Sequence, residues 1–318
     1  MKLLRRFLVT CLALCTLLLI ISFTAFAGDG DTIEISTPGE LMDILNTAPS
    51  EAWDTSGKTY VLQSDIEIDT SGLSATYYST DNSKTRNFMG VLDGGGHTIT
   101  VVENADGEPS KPLFDRITGT SENDYAGIKN LNVVFKGDVE GTTLASTLTC
   151  AQINDVKITF EKNIIFAEPL YGSSGQYAIA TGVFGFPTQS TPIILNNVSV
   201  VGKGIIGSKD AHDKAYVMAA GIFSESNFSA GDIIFDGIDV NVKGIYAVSN
   251  YKPAPSAYSD CCAAGIASGW SQVNLNLGNA YVNISDDIYA HSTNGSDADA
   301  YGLGYHLLSM YNCDVKVG

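Results

Sequence analysis

Positive charge is scarce in this chain. Eighteen Lys and Arg face 35 Asp and Glu, a formal net charge of −17, and no arginine occurs after Arg116. A phosphate backbone or an anionic lipid surface would repel such a protein, so nucleic acid is excluded as a partner. Metal-site spacing is missing as well. His97, His212, His291 and His306 are scattered, and no Cys or His pairing has the separation of a zinc site. No stretch after the first 27 residues is long and apolar enough to span a membrane as a helix. Disorder is excluded by the balance of 44% hydrophobic against 17% charged residues, which implies a packed core under a sparse, acidic surface. The sequence implies no cofactor; calcium is the natural counter-ion to consider, and Asp29-Gly30-Asp31 offers it two carboxylates.

Residues 1–27 have the form of a secretory leader: Lys2, Arg5 and Arg6, an apolar run from Phe7 to Phe23, then the small-x-small pattern Ala25-Phe26-Ala27. An uncleaved anchor is the alternative reading. Removal of the leader, which holds no acid, leaves 15 basic against 35 acidic residues, or −20. Secretion, to the medium or the cell surface, is the expected localisation. Cys150, Cys261, Cys262 and Cys313 then remain. Export permits disulfides, yet small buried thiols are the plainer reading, because a ring between adjacent Cys261 and Cys262 is strained.

From 28 to 72 the pattern differs from the rest of the chain. Thr32–Ile35 reads as a strand, and Thr37-Pro38-Gly39-Glu40 opens a helix with an N-cap, a proline at its first position and a capping box. Leu41, Ile44 and Leu45 share one face. This segment is expected to cap the N-terminal end of a stacked-strand core, where apolar interior and strand edges would otherwise meet water.

The stretch Phe88-Met-Gly-Val-Leu-Asp-Gly-Gly-Gly-His-Thr-Ile-Thr-Val101 sets two short apolar strands around a glycine turn. It resembles the early rung of right-handed parallel β-helix proteins, the pectin lyase-like family of bacterial surface proteins and pectin-degrading enzymes. The likeness extends over residues 60 to 318. It implies a coil that carries lyases, hydrolases and inert adhesin stalks alike.

Repeated segments support that architecture. One series runs Lys129–Phe135, Asn154–Phe160, Asn196–Val200, Asp236–Val242, Gly278–Ile284 and Tyr311–Val317. A second runs Thr181–Phe184, Ala220–Phe223, Ala264–Ala267 and Tyr301–Gly304, and a third Gly204–Ile206, Gly244–Ala247 and Asp287–Ala290. The period of roughly 25 to 45 residues is that of stacked supersecondary units. Three short strands per unit predict an all-β, right-handed parallel β-helix of triangular coils over 73–318, with the N-terminal segment as a capping helix. An antiparallel sandwich is the competing fold. Alternation puts Leu131/Val133/Phe135, Val156/Ile158/Phe160, Val198/Val200, Ile238/Val240/Val242, Ala280/Val282/Ile284 and Cys313/Val315/Val317 inward. Because the sequence stops at Gly318 within a repeat strand, the natural product is expected to be longer.

Outward positions of the first series form two columns: Lys157, Ser199, Asp239, Tyr281, Asp314 and Thr159, Val201, Asn241, Asn283, Lys316. Asp239, Asn241, Tyr281 and Asn283 are the candidate ligand-binding group, and the resemblance places glycan binding on such a face. An ordinary solvated sheet face is the plain alternative. Tyr251, Tyr258 and Trp270, in loops, are further candidates for stacking on sugars. Catalysis has less to work with. The Gly-His-Gly and Arg-x-Lys motifs of the related hydrolases are missing, and a lyase would depend on Lys157, Lys243 or Lys316. Asp286-Asp287 is the adjacent acidic pair within the repeats, and hence the alternative catalytic pair. Asp93 and His97 belong to the turn motif and read as structural. The expected function is an exported, non-catalytic surface or adhesin-like protein that meets a glycan, host or cell surface. The alternative is a polysaccharide lyase or glycoside hydrolase on the same scaffold; a passive spacer is a third possibility.

Overall fold

The computed structural model describes residues 30–318 except 49, 74–84, 122–123, 167–176, 188–191, 212–215, 225–232, 251–259, 270–274, 293–296 and 305–306. Its strands stack into four parallel sheets that wind about one axis, a parallel β-helix. The main sheet has eleven strands. Its path runs from Thr32–Ile35 through Thr59–Leu62 and Val91–Asp93 to six long members: Ala126–Phe135, Ala151–Phe160, Ile193–Gly202, Ile233–Val242, Leu275–Ile284 and Leu307–Val317. These six carry the first repeat series. Their register pairs Val156 with Leu131 and Val198, then Ile238, Ala280 and Cys313 in turn.

The second and third series each join a further sheet. Phe114–Thr118, Ala145–Thr149, Phe184–Pro187, Phe223–Ser224 and Ala267–Ser268 belong to the second sheet; Val139–Glu140, Ile164–Ile165, Ile205–Ala211, Gly244–Ser249 and Ile288–Ser292 form the third. Three sheets per coil suffice up to Ile165. From Tyr177 onward each coil gains a strand, and Tyr177–Thr181, Tyr216–Ala220, Asp260–Ala264 and Asp297–Tyr301 make a fourth sheet that sequence alone does not separate from the second series. The recurring glycine of that series marks the corner between the two sheets. A Cβ on Gly182, Gly221 or Gly265 would lie 1.9–2.0 Å from the next coil's carbonyl oxygen, so only glycine lets successive turns stack there.

The long strands also bend. Asn130, Asp155, Asn197, Asn279 and Asn312 have φ between 47° and 54°, and Gly237 has φ 69° at the equivalent rung. Asn, Asp and Gly tolerate this left-handed conformation at small cost. The bend places two neighbouring residues outside: Asn154 and Asp155 project outward between inward Ile153 and Val156. Each long strand is therefore two straight segments meeting at a corner.

The expected inward side chains are buried from Leu131 through Ile284 and belong to one continuous core cluster. Burial of each aliphatic side chain stabilises the coil by ~1.5–3 kcal/mol. In the last coil the same column opens: Cys313 and Val315 are half-buried and Val317 is 44% exposed. Cys150, Cys261 and Cys262 are buried, and none of the four described cysteines forms a disulfide. Burial pushes the thiols of Cys261 and Cys262 up to about 12, which keeps them protonated and unreactive.

At the other end, helix α1 (Pro38–Leu45) forms as its capping signals predict. Thr37 N donates to Glu40 Oε2 at 3.0 Å, and Glu40 N donates to Thr37 Oγ1 at 3.3 Å. Leu41 and Leu45 are fully buried in the common core. Next to it Arg86 and Asp115 form a buried ion pair at 2.6 Å. The Arg86 guanidinium also donates to the carbonyls of Leu45, Pro112 and Leu113, so helix and first coils are tied by one side chain. Asp93 supports the glycine turn, as its motif implied: its carboxylate accepts from Gly95 N at 2.9 Å and Asn130 Nδ2 at 3.1 Å.

Candidate functional site

The outward columns of the main sheet stand as the alternation predicted. Register places Ser199, Asp239, Tyr281 and Asp314 side by side, and Val201, Asn241, Asn283 and Lys316 beside them. Asp239, Asn241, Tyr281 and Asn283 thus form one two-by-two patch. Ser199 Oγ donates to Asp239 Oδ2 at 3.3 Å, and Asn283 Nδ2 donates to Asn241 Oδ1 at 3.1 Å. The Tyr281 side chain is 41% exposed. Its surroundings are hydrogen-bonding groups on a sheet face. Tyr251, Tyr258 and Trp270 lie outside the described residues.

Asp286 and Asp287 sit at the exposed corner between main-sheet strand Leu275–Ile284 and third-sheet strand Ile288–Ser292. Asp286 accepts a short hydrogen bond from the Tyr246 hydroxyl. Burial, then this bond, pushes the Tyr246 phenol up to about 12. Asp286 therefore anchors a ring. Tyr246 in turn neighbours Tyr289, which stacks on His291 at 5.9 Å between ring centroids. This aromatic strip on the outside of the third sheet was not foreseen, although Tyr246 and Tyr289 occupy equivalent places in two repeats.

A second group was missed altogether. Asp260 and Asp297 are register partners on the fourth sheet, as are Cys262 and Asp299 two residues on, all on one face. Asp260 is only 7% exposed. Burial, reinforced by the charges of Asp297 and Asp299, pushes its carboxyl up to about 6. A carboxylic acid that holds its proton near neutrality, beside two other carboxylates, can serve as a general acid. The signal was present in the alternation of Asp260-Cys-Cys-Ala-Ala264 and Asp297-Ala-Asp-Ala-Tyr301, which precedes the glycine corner in consecutive coils. Among the described residues no group of three or more His, Cys, Asp or Glu side chains is arranged to hold a metal ion.

A third feature lies at the bend of the main sheet. A cleft of about 260 Å³ is lined by Asn154, Asp155, Asn196, Asn197 and Asp236, polar residues throughout. Strict alternation back from Val156, Val198 and Ile238 would turn Asn154, Asn196 and Asp236 inward, because it does not register the left-handed residue that turns the chain.

No protein-family model matches the chain, and no curated protein matches it by sequence. Among solved structures, a candidate immunoglobulin A1 protease from Bacteroides ovatus is similar at 14% identity with a TM-score of 0.48, over 91% of this chain and 77% of that one. A likeness of this degree carries no argument about activity.

Proposed function

We propose that the protein is an exported, non-catalytic β-helix that presents the outer face of its main sheet to a glycan at a cell surface. One observation carries the reading: register gathers Asp239, Asn241, Tyr281 and Asn283 into a single patch around an exposed aromatic ring. The leader pattern of residues 1–27 supports export. The acidity of the chain favours neutral over anionic glycans. The test is a glycan array probed with the purified protein. Binding without cleavage is expected, and Tyr281→Ala should weaken it about tenfold. A blank array would overturn the reading.

A polysaccharide hydrolase is the second reading, and the raised carboxyl of Asp260 beside Asp297 and Asp299 favours it. Asp260 would protonate the leaving oxygen and a neighbouring carboxylate would act on the sugar. Asp286 and Asp287 suit this role less, since Asp286 is occupied by Tyr246. Incubation with neutral and acidic polysaccharides decides. New reducing ends, abolished by Asp260→Asn, would replace the binding reading with the catalytic one.

A further inference from the structure

The corner of the main sheet carries a ladder of left-handed residues, one per coil: Asn130, Asp155, Asn197, Gly237, Asn279 and Asn312. Two neighbouring pairs of rungs are joined by hydrogen bonds. Asn197 Nδ2 donates to Asp155 Oδ1 at 2.9 Å, and Asn312 Nδ2 donates to Asn279 Oδ1 at 2.7 Å. Between these pairs stands Gly237, which has no side chain to pass the ladder on. Asn279 turns aside and donates to Asp236 Oδ1 at 2.7 Å. The polar cleft at the bend, reaching from Asn154 to Asp236, adjoins this interruption. A Cβ on Gly237 would come within 2.5 Å of Asn197 Oδ1, so the missing side chain is what leaves room there.

Beside the gap lies a flat ring. Tyr311 crosses over Gly278, where a Cβ would meet its ring at 2.2 Å, and its hydroxyl donates to Asp236 Oδ1 at 3.2 Å. The side chain is 58% exposed. Asp236 thus receives both of its described donors on one oxygen and keeps Oδ2 for another.

We propose that this break in the ladder is a subsite for a short run of rings of a neutral glycan, with Tyr311 as the stacking platform for one ring and Asp155, Asn197 and Asp236 as hydrogen-bond partners along the run. Carboxylates accept from sugar hydroxyls, amides both accept and donate, and a flat ring meets the apolar face of a pyranose. Two carboxylates with no cation among the lining residues repel uronic or sulfated sugars. Calcium is the competing ligand for such groups, but the geometry disfavours it. Asp155 and Asp236 stand two rungs apart, about 10 Å along the axis, and Asp236 is drawn toward the next coils by Asn279 and Tyr311. A single ion needs its oxygens within about 2.3–2.6 Å.

The proposal rests on the glycan-binding reading and deepens it, so its test separates the corner from the face. Gly237→Asn completes the ladder with the residue found at four of its other rungs, which accepts the same backbone conformation. Binding of neutral and uronic hexasaccharides is measured by calorimetry for the wild-type protein, Gly237→Asn, Tyr311→Ala and Tyr281→Ala, with thermal unfolding as the control. Gly237→Asn is expected to remain folded, unfolding somewhat below the wild-type temperature because Asn197 must shift, yet to bind a neutral hexasaccharide at least tenfold more weakly, and Tyr311→Ala to lose as much. Unchanged affinity in both corner variants, with loss only in Tyr281→Ala, would overturn the subsite and leave the face reading intact. Loss in both corner variants with Tyr281→Ala unaffected would uphold the subsite and overturn the face. Absence of wild-type binding, or equal affinity for uronic sugars, overturns the proposal as stated. Should Gly237→Asn fail to fold, Tyr311→Ala and Asp236→Asn decide between the same outcomes.

Discussion

Two regions of the coil are packed differently. Around Arg86 α1 lies on the core, Leu41 and Leu45 are fully buried, and Arg86 with Asp115 closes the seam from within. In the coil from Ile288 to Val317 the inward column is half-open, and Met310, Tyr311 and Val317 are all exposed. The same inward and outward alternation runs through both. The contrast shows that patterning decides which way a side chain points, while burial depends on whether a neighbouring coil covers it.

That contrast can be broken most strongly in the closed region around Arg86. Arg86→Ala removes the guanidinium of the buried ion pair and its bonds to three carbonyls, and should cost about 3–5 kcal/mol in chemical denaturation. Within the core, one substitution at two places sharpens the comparison. Val240, Val282 and Val315 are consecutive members of one column. Val240→Ala should cost about 2 kcal/mol, from lost apolar burial and the cavity left behind, whereas Val315→Ala at the open coil should cost under about 1 kcal/mol. Hydrogen exchange should show protection falling toward Val317 in both variants. The effect of Asp260 is of similar or smaller size. Its folded carboxyl is raised from 3.8 to about 6, so the native state holds a proton that the unfolded chain releases. Stability from this group is complete below about pH 4, falls as pH rises toward 6, and stays lower above it. Asp260→Asn should remove that slope and raise stability at pH 7 by about 1–3 kcal/mol, read from unfolding midpoints between pH 4 and 8.

Much of this was legible in the sequence because the core speaks in a period of two. Val156, Ile158 and Phe160 declare their side by alternation alone, and their stacking partners do the same forty residues away. The capping box at Thr37 and Glu40 was readable because its geometry is local. The corner ladder is harder to see, although its signal is present: Asn, Asp or Gly stands immediately before the first inward residue in six consecutive coils, as in Asn130-Leu131 and Gly237-Ile238. These residues look like unremarkable polar positions until their backbone angle is known. The fourth sheet escaped for another reason. Its inward residues are mostly small, Ala178, Ala180, Ala219, Cys261 and Ala263 beside Val217, and so do not stand out as a hydrophobic column. Asp260 could not be weighed as an acid because its depth depends on coils that lie far away in the chain.

The left-handed corner has a consequence for how such a molecule can change in length. Every described coil from Ala126 on passes through it with no residue inserted or lost at the bend, while the connections elsewhere differ in size. Equivalent positions such as Asn154 and Asn196 are therefore interchangeable splice points. Cutting and rejoining the chain there removes or duplicates one whole turn without shifting a single side chain from one face to the other.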